Sequence, residues 1–240
     1  MDQKNKIARL AGFLYLLLAI TGTFPFLIEE KLVVFGDALA TAANLLSSQS
    51  LFIASIVSEL VMATIWILIG ISLYALFKKV NKNIAFLMVS LVLVGGSIIY
   101  INVISQIAAL IILKNSSGYL ATFDEEQINA LVMLFIDIGR DSTIVDYIFM
   151  GLWMFPFAYL VVISGYFPKT ISKIWGVLLI IGGLGYIIDF ITYFVFPEYF
   201  IDVTSLAFGG DLFSIFWLLF FGVQKQQNNS HNRIINKVTN

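Results

Sequence analysis

The sequence contains no cysteine and only one histidine, His231, close to its C-terminal end. Without Cys it has no disulfide, cysteine nucleophile or iron–sulfur cluster, and one His in a polar tail excludes Cys/His zinc sites and haem ligation within a membrane. It also lacks a Gly-rich phosphate loop followed by Lys-Ser/Thr and a Gly-x-Ser-x-Gly elbow. We therefore expect no cofactor and no metal site.

Charged residues are scarce as well. They make up 12% of the 240 residues, against roughly 25% in a soluble domain. Hydrophobic residues make up 60%, the mean hydropathy is +0.94, and the net charge is −1 with no basic patch. These values exclude a soluble globular surface, a disordered chain and a nucleic-acid-binding protein. They predict a polytopic membrane protein whose first partner is the lipid bilayer.

Six apolar runs are long enough for a membrane-spanning helix, which needs roughly 20 residues. They are Leu10–Ile28, Leu51–Phe77, Ile84–Leu113, Ile144–Ile163, Ile174–Phe196 and Leu206–Val223. The sequence thus predicts an all-α fold with six transmembrane helices in a single membrane domain, residues 1–224. The polar segment 225–240 is predicted to be a disordered cytoplasmic tail.

The distribution of charge predicts the orientation. With six spans both termini share a side, and that side carries eleven of the 14 Lys and Arg residues but only one of the 15 acids, Asp2. Because loops rich in Lys and Arg stay in the cytoplasm, we expect both termini to be cytoplasmic.

Two of the outer loops have helical patterns. In the first, residues 36–48, Asp37 can cap a short helix. In the second, Thr122 and Glu125 have the spacing of a capping box ahead of an apolar face. We expect two short outer-face helices, the second of which either ends at the natural break Gly139 or continues into the fourth span.

When the sequence is aligned with itself at an offset of 87 residues, polar residues of segment 51–113 fall on polar residues of segment 138–200. Each segment is predicted to form a helical hairpin. Glu59 then falls on Asp146, and Asn102 falls on Asp189. Each pair crosses in the same direction, so the pattern favours a parallel internal repeat.

A set of polar residues falls in the outer half of the predicted spans. It consists of Glu59, Asn102, Gln106, Asp146, Asp189 and Asp211. Because a carboxylate at the bilayer centre costs between about 2.5 and more than 10 kcal/mol, such groups face protein or water, and the set predicts a polar, acidic pocket that opens outward.

Several of these residues have a structural alternative. Asp146 and Asp211 would then be first-turn acids favoured by the helix dipole. Glu59 and Asp189 would be hydrogen-bonded to neighbouring helices. Arg140, beside Asp137 and Asp141, either reaches into the pocket or pairs locally. Pro156 predicts a kink in the fourth span.

The segments LVVFGDALATAANLL and SGYFPKTISKIWGVLLIIGGLGYIID resemble the bacterial domain-of-unknown-function family numbered 4386. The resemblance implies a multi-helix protein of the bacterial cytoplasmic membrane. It also implies an outer loop marked by Gly36, Asp37, Thr41 and Asn44, and family acids at Glu59 and Asp189. Two positions depart from the family pattern: Ile53 stands in place of an Arg, and Trp153 in place of a His.

Three functions remain open. The intramembrane acids favour a transport-like protein that binds a cation, a proton or a small polar solute. The outer loops would instead suit a membrane scaffold that docks a membrane-protein partner or forms a homo-oligomer. An intramembrane enzyme with paired carboxylates is the third alternative, and the weakest, because Asp146 and Asp211 lie at the ends of the predicted spans.

Overall fold

The computed structural model describes residues 3–199 and 203–224, and these residues form helices, turns and loops without any strand. Six helical stretches are long and apolar enough to cross a membrane. They are Gln3–Leu32, Gln49–Phe77, Lys82–Lys114, Glu125–Ile163, Lys169–Val195 and Thr204–Phe221. The prediction of an all-α protein with six spans is confirmed, while the tail from residue 225 onward lies outside the described residues.

We number the α-helices in chain order. They are α1 (Gln3–Leu32), α2 (Ala38–Ser47), α3 (Gln49–Phe77), α4 (Lys82–Lys114), α5 (Glu125–Leu152), α6 (Met154–Ile163), α7 (Lys169–Val195) and α8 (Ala207–Phe216). Two 3-10 turns, Pro197–Tyr199 and Thr204–Leu206, lie between α7 and α8, and a π-helical turn, Trp217–Phe221, follows α8.

Successive spans pack in opposite directions, so the bundle has two chemically different ends. The acid-rich end holds α2, the 115–124 connection and the described residues 196–199 and 203–206. The lysine-rich end holds the start of α1 and the 78–81 and 164–168 connections. Leu, Ile and Phe side chains remain exposed along the spans between the two ends, and such an apolar outer surface suits contact with a lipid bilayer.

The second predicted outer-face helix is not a separate element. Residues 125–152 form one continuous helix, α5, so the helix runs on into the fourth span and Gly139 does not break it. The capping box is also shifted: Asp124 accepts from the Gln127 backbone at 2.8 Å and Gln127 accepts from the Asp124 backbone at 3.1 Å. Of the two short helices expected at the outer face, only α2 is a separate element, and the expected Thr122–Glu125 pair is wrong.

The fourth span is interrupted deeper in the bundle, at Trp153 between α5 and α6. Pro156 lies in the first turn of α6, where its missing N–H cannot bond to the carbonyl of Leu152. The break between α5 and α6 thus lies next to Pro156, where the sequence predicts a kink.

Small residues allow the closest helix contacts. A Cβ on Gly151 of α5 would lie 2.6 Å from the carbonyl oxygen of Gly183 on α7, and Gly12 of α1 lies directly against the backbone of Leu218 and Leu219. Close backbone approach of this kind is a usual means of helix association in membranes.

The helix boundaries bear on the proposed repeat. Helices α4 and α7 begin at Lys82 and Lys169, which are 87 residues apart in the sequence. This agrees with the offset found from the polar landmarks, and the repeat stays a prediction.

Candidate functional site

The carboxylate of Glu59 is buried on α3 and is held by two amides of α4. Asn102 Nδ2 donates to Glu59 Oε1 at 2.6 Å, and Gln106 Nε2 donates to Oε2 at 2.7 Å. Asn102 and Gln106 are four residues apart, which places both side chains on the same face of α4. The structure thus brings together three of the residues that the sequence singled out.

Asn102 also connects this group to α5. Its Nδ2 lies 3.0 Å from Thr143 Oγ1, and Thr143 in turn donates to the Gly139 carbonyl at 3.2 Å. Gly139 makes room for the amide, because a Cβ there would lie 2.5 Å from Asn102 Oδ1. That Oδ1 atom is buried and has no hydrogen-bond partner among the described residues.

These groups line a cavity at the acid-rich end, which we call the Glu59 cavity. It encloses about 480 Å³ of empty space, part of it open to the outside. Its polar lining consists of Glu29, Ser55, Glu59, Asn102, Gln106, Arg140 and Thr143. The apolar side chains that line it come from α1, α2, α3 and α5 and from Val33, which follows α1. Glu29 is exposed and Glu59 is buried, so the two acids mark the mouth and the floor.

Arg140 is the cation of this cavity, and it both lines the cavity and pairs locally. Its Nη2 lies 3.0 Å from Asp137 Oδ1, its Nε lies 3.9 Å from Asp141 Oδ1, and its guanidinium stacks over the Phe35 ring at 4.7 Å. Both alternatives left open by the sequence therefore apply. Its ion pairs within 4 Å are with Asp137 and Asp141, and it also lies within electrostatic range of Glu29.

Asp189 does not join the Glu59 cavity. It is fully buried on α7, and its two carboxylate oxygens accept from the Val203 backbone N–H at 3.0 and 3.2 Å. Val203 immediately precedes the 3-10 turn Thr204–Leu206, so the carboxylate holds the entry of the last span against α7.

Asp146 and Asp211 are placed differently again. Asp146 is 1% exposed and lies 21 residues after the start of α5, so the first-turn alternative is wrong for it because α5 begins at Glu125. Its Oδ1 packs beside Gly95 and has no hydrogen-bond partner among the described residues. Asp211 is partly buried just beyond the first turn of α8 and lines a second cavity.

The outer-loop residues shape the turn into α2. Gly36 has a positive φ of 79°, and Asp37 Oδ1 caps the helix by accepting from the Ala40 N–H at 2.9 Å. Thr41 exchanges hydrogen bonds with the Val34 backbone, and Asn44 donates to the Leu32 carbonyl at 3.2 Å. These contacts fold the loop over the end of α1, and none of the four residues lines the Glu59 cavity.

Sequence reasoning missed Glu29 and Thr143 as lining residues. Glu29 was left out because the first predicted span ended at Ile28, one residue before it, whereas α1 continues to Leu32. Thr143 lies four residues after Gly139 on α5, and this spacing on one helical face would have been a usable signal.

Comparison with known proteins identifies the family. The family described as "Domain of unknown function (DUF4386)" matches residues 10–222. The chain belongs to this family. An uncharacterized protein of Archaeoglobus fulgidus is 28% identical over 170 residues, which is 71% of this chain and 85% of that protein. No solved structure matches.

The family match spans every candidate residue, from Gly36 to Asp211. Membership of the DUF4386 family confirms the resemblance seen in the sequence, and the family description carries no activity that could be assigned to these residues. The bacterial source and the cytoplasmic membrane stay predictions.

Proposed function

We propose that the protein has a transport-like role in which the Glu59 cavity binds a cation, a proton or a small polar solute. The observation that carries this proposal is the Glu59 carboxylate, held at the floor of a cavity by amide donors at 2.6 and 2.7 Å. A carboxylate has about four acceptor sites, so two amide donors leave capacity for a ligand.

The charges around the cavity favour a positively charged ligand. Glu29 and Glu59 line it, and Arg140 is engaged by Asp137 and Asp141. The acids thus outnumber the single guanidinium, and a cation or the positive end of a polar solute offsets that excess in a partly desolvated site.

The orientation of the cavity follows from the positive-inside rule. In the topology predicted from the sequence, eleven of the 14 Lys and Arg residues lie at the lysine-rich end of the bundle. That end is therefore the cytoplasmic one in this proposal. The Glu59 cavity then opens outward, where it would meet solutes from outside the cell.

The scaffold alternative loses one of its expected docking surfaces. The apolar face of α5 near the acid-rich end, Ile128, Val132 and Ile136, is buried in the same cluster as Leu45 of α2 and Val103 of α4. That face is occupied within the chain and is not available to a partner. A homo-oligomer or a membrane-protein partner stays a prediction.

The test is uptake into proteoliposomes that contain the purified full chain, with Na⁺, Rb⁺ and methylammonium as radiolabelled probes and an internal dye for proton flux. We expect at least one of these probes to enter above the protein-free background and Glu59→Gln to abolish the signal. Glu126→Gln is the matched control, because Glu126 is an exposed acid in the first turn of α5, outside the cavity.

Glu59→Gln is expected to fold, because rotation of the Asn102 amide would present its unpartnered Oδ1 to the new amide group. An unchanged elution volume and helical circular dichroism would verify this. Background-level flux of all four probes, or uptake by Glu59→Gln equal to that of the unsubstituted chain, contradicts the proposal.

A further inference from the structure

A second cavity lies in the middle of the bundle, and we call it the central cavity. The empty space between its walls amounts to about 440 Å³, part of it open to the outside, and it shares no lining residue with the Glu59 cavity. Its walls are aromatic and thioether side chains with one carboxyl group: Tyr15, Trp66, Trp153, Tyr186, Met62, Met150, Met154 and Asp211, together with Leu18 and Ile99. Each span of the bundle contributes at least one of these residues.

The aromatic rings form connected walls. The Trp66 and Trp153 centroids are 6.3 Å apart with an edge-on angle of 74°, and Tyr15 stacks beside Trp153 at 6.5 Å. The indole is the strongest of the aromatic faces for attracting a cation, and a desolvated site strengthens that attraction. The three Met side chains add polarizable, adaptable surface.

The charge of the central cavity is of one sign. Asp211 is the ionisable acid in its wall, and none of the described residues lining it is Lys, Arg or His. Tyr186, in the same wall, also lies within electrostatic range of Asp146 and Asp189. An ionised carboxylate that faces an apolar cavity needs a counter-charge, so a bound cation would favour the ionised form of Asp211.

We propose that the central cavity binds an organic cation with an apolar or aromatic body. The positive head lies between the Asp211 carboxylate and the rings of Trp66 and Trp153, and the body packs against the methionines. This site is independent of the proposed function, because it uses different residues. Leu18, Met62 and Met150 keep partial exposure, so the cavity is not sealed against entry.

Isothermal titration of the full chain in a neutral detergent tests this site. The probe is benzyltrimethylammonium, and the control is benzylsulfonate, which has a similar shape and the opposite charge. We expect the cation to bind at least about tenfold more tightly than the anion, and Asp211→Asn to weaken cation binding by a similar factor. Glu126→Gln removes an acid of the same sign outside both cavities and should leave the affinity unchanged.

A second pair of variants tests the aromatic wall. Trp153→Phe retains an aromatic face and Trp153→Leu does not, so the leucine variant should bind the cation more weakly than the phenylalanine variant. Absence of cation binding to the unsubstituted chain, or equal affinity for cation and anion, overturns the proposal without depending on any variant. Equal affinity of folded Asp211→Asn and the unsubstituted chain overturns it as well.

Discussion

Gly139→Ala is the substitution that most directly tests the geometry around Glu59. The added Cβ would lie 2.5 Å from Asn102 Oδ1 and 2.7 Å from Ser105 Oγ. Neither group can simply move aside, because the Asn102 amide is bonded to Glu59 at 2.6 Å and Ser105 Oγ donates to the Asn102 carbonyl at 2.7 Å. The new methyl group must therefore break the contact between Asn102 and Glu59 or separate α4 from α5.

The size of the effect follows from three contributions. Overpacking costs about 1–3 kcal/mol. Loss of a hydrogen bond to an ionised group costs about 1.5–3 kcal/mol. Against these, Ala is favoured over Gly within a helix by about 1 kcal/mol. We expect Gly139→Ala to lower the free energy of unfolding by about 1.5–5 kcal/mol on this balance.

The assay is reversible unfolding in mixed micelles of a neutral detergent and dodecyl sulfate, followed by tryptophan fluorescence and circular dichroism. The control is Gly209→Ala in α8, where the nearest atom to an added Cβ is Leu178 Cδ2 at an ordinary 3.6 Å. Combining Gly139→Ala with Asn102→Ala removes the clash with Asn102 and leaves the one with Ser105, so the double variant should lose at least about 1 kcal/mol less than the sum of the single losses. If Gly139→Ala is as stable as Gly209→Ala, the close contact between α4 and α5 is refuted.

Three further substitutions test other contacts. Asp189→Ala removes the acceptor of the Val203 N–H and should cost about 1–3 kcal/mol, with faster amide exchange at Val203 by mass spectrometry. Asp124→Ala removes the cap of α5 and should lower stability by about 1 kcal/mol in the same unfolding assay. Gly151→Ala directs a methyl group at the Gly183 carbonyl oxygen 2.6 Å away and should cost about 1–3 kcal/mol, because backbone cannot rotate aside.

Hydropathy was sufficient to predict the six spans but not their ends. The first predicted span stopped at Ile28 because Glu29, Glu30 and Lys31 are charged, yet α1 continues to Leu32. The backbone of a helix keeps its hydrogen bonds beyond the hydrocarbon region, where charged side chains are tolerated. The same reason allows α5 to begin at Glu125, well before its apolar run.

The depth of the polar residues could also be predicted, whereas their neighbours could not. Glu59, Asn102 and Gln106 meet because α3 and α4 are joined by a short connection and pack as a hairpin. Asp189 was grouped with them on depth alone, but α7 packs against α5, α6 and α8 and turns this carboxylate toward Val203. The order of the helices around the bundle and the rotation of each helix about its axis depend on interhelical packing. The hydropathy of a single sequence does not contain this information.

The absence of cysteine, which excluded so much chemistry, makes the predicted orientation directly testable. Any thiol introduced into this chain is its only one, so labelling of intact cells by a membrane-impermeant maleimide has no background from the chain itself. Ser117 and Asn83 are both exposed, the first in the connection at the acid-rich end and the second in the first turn of α4 at the lysine-rich end. Neither substitution alters a charge, so the Lys and Arg asymmetry that sets the topology is preserved.

We expect Ser117→Cys to react in intact cells and Asn83→Cys to react only after the membrane is permeabilised. The opposite pattern would place the Glu59 cavity on the cytoplasmic side, and its ligand would then have to come from inside the cell.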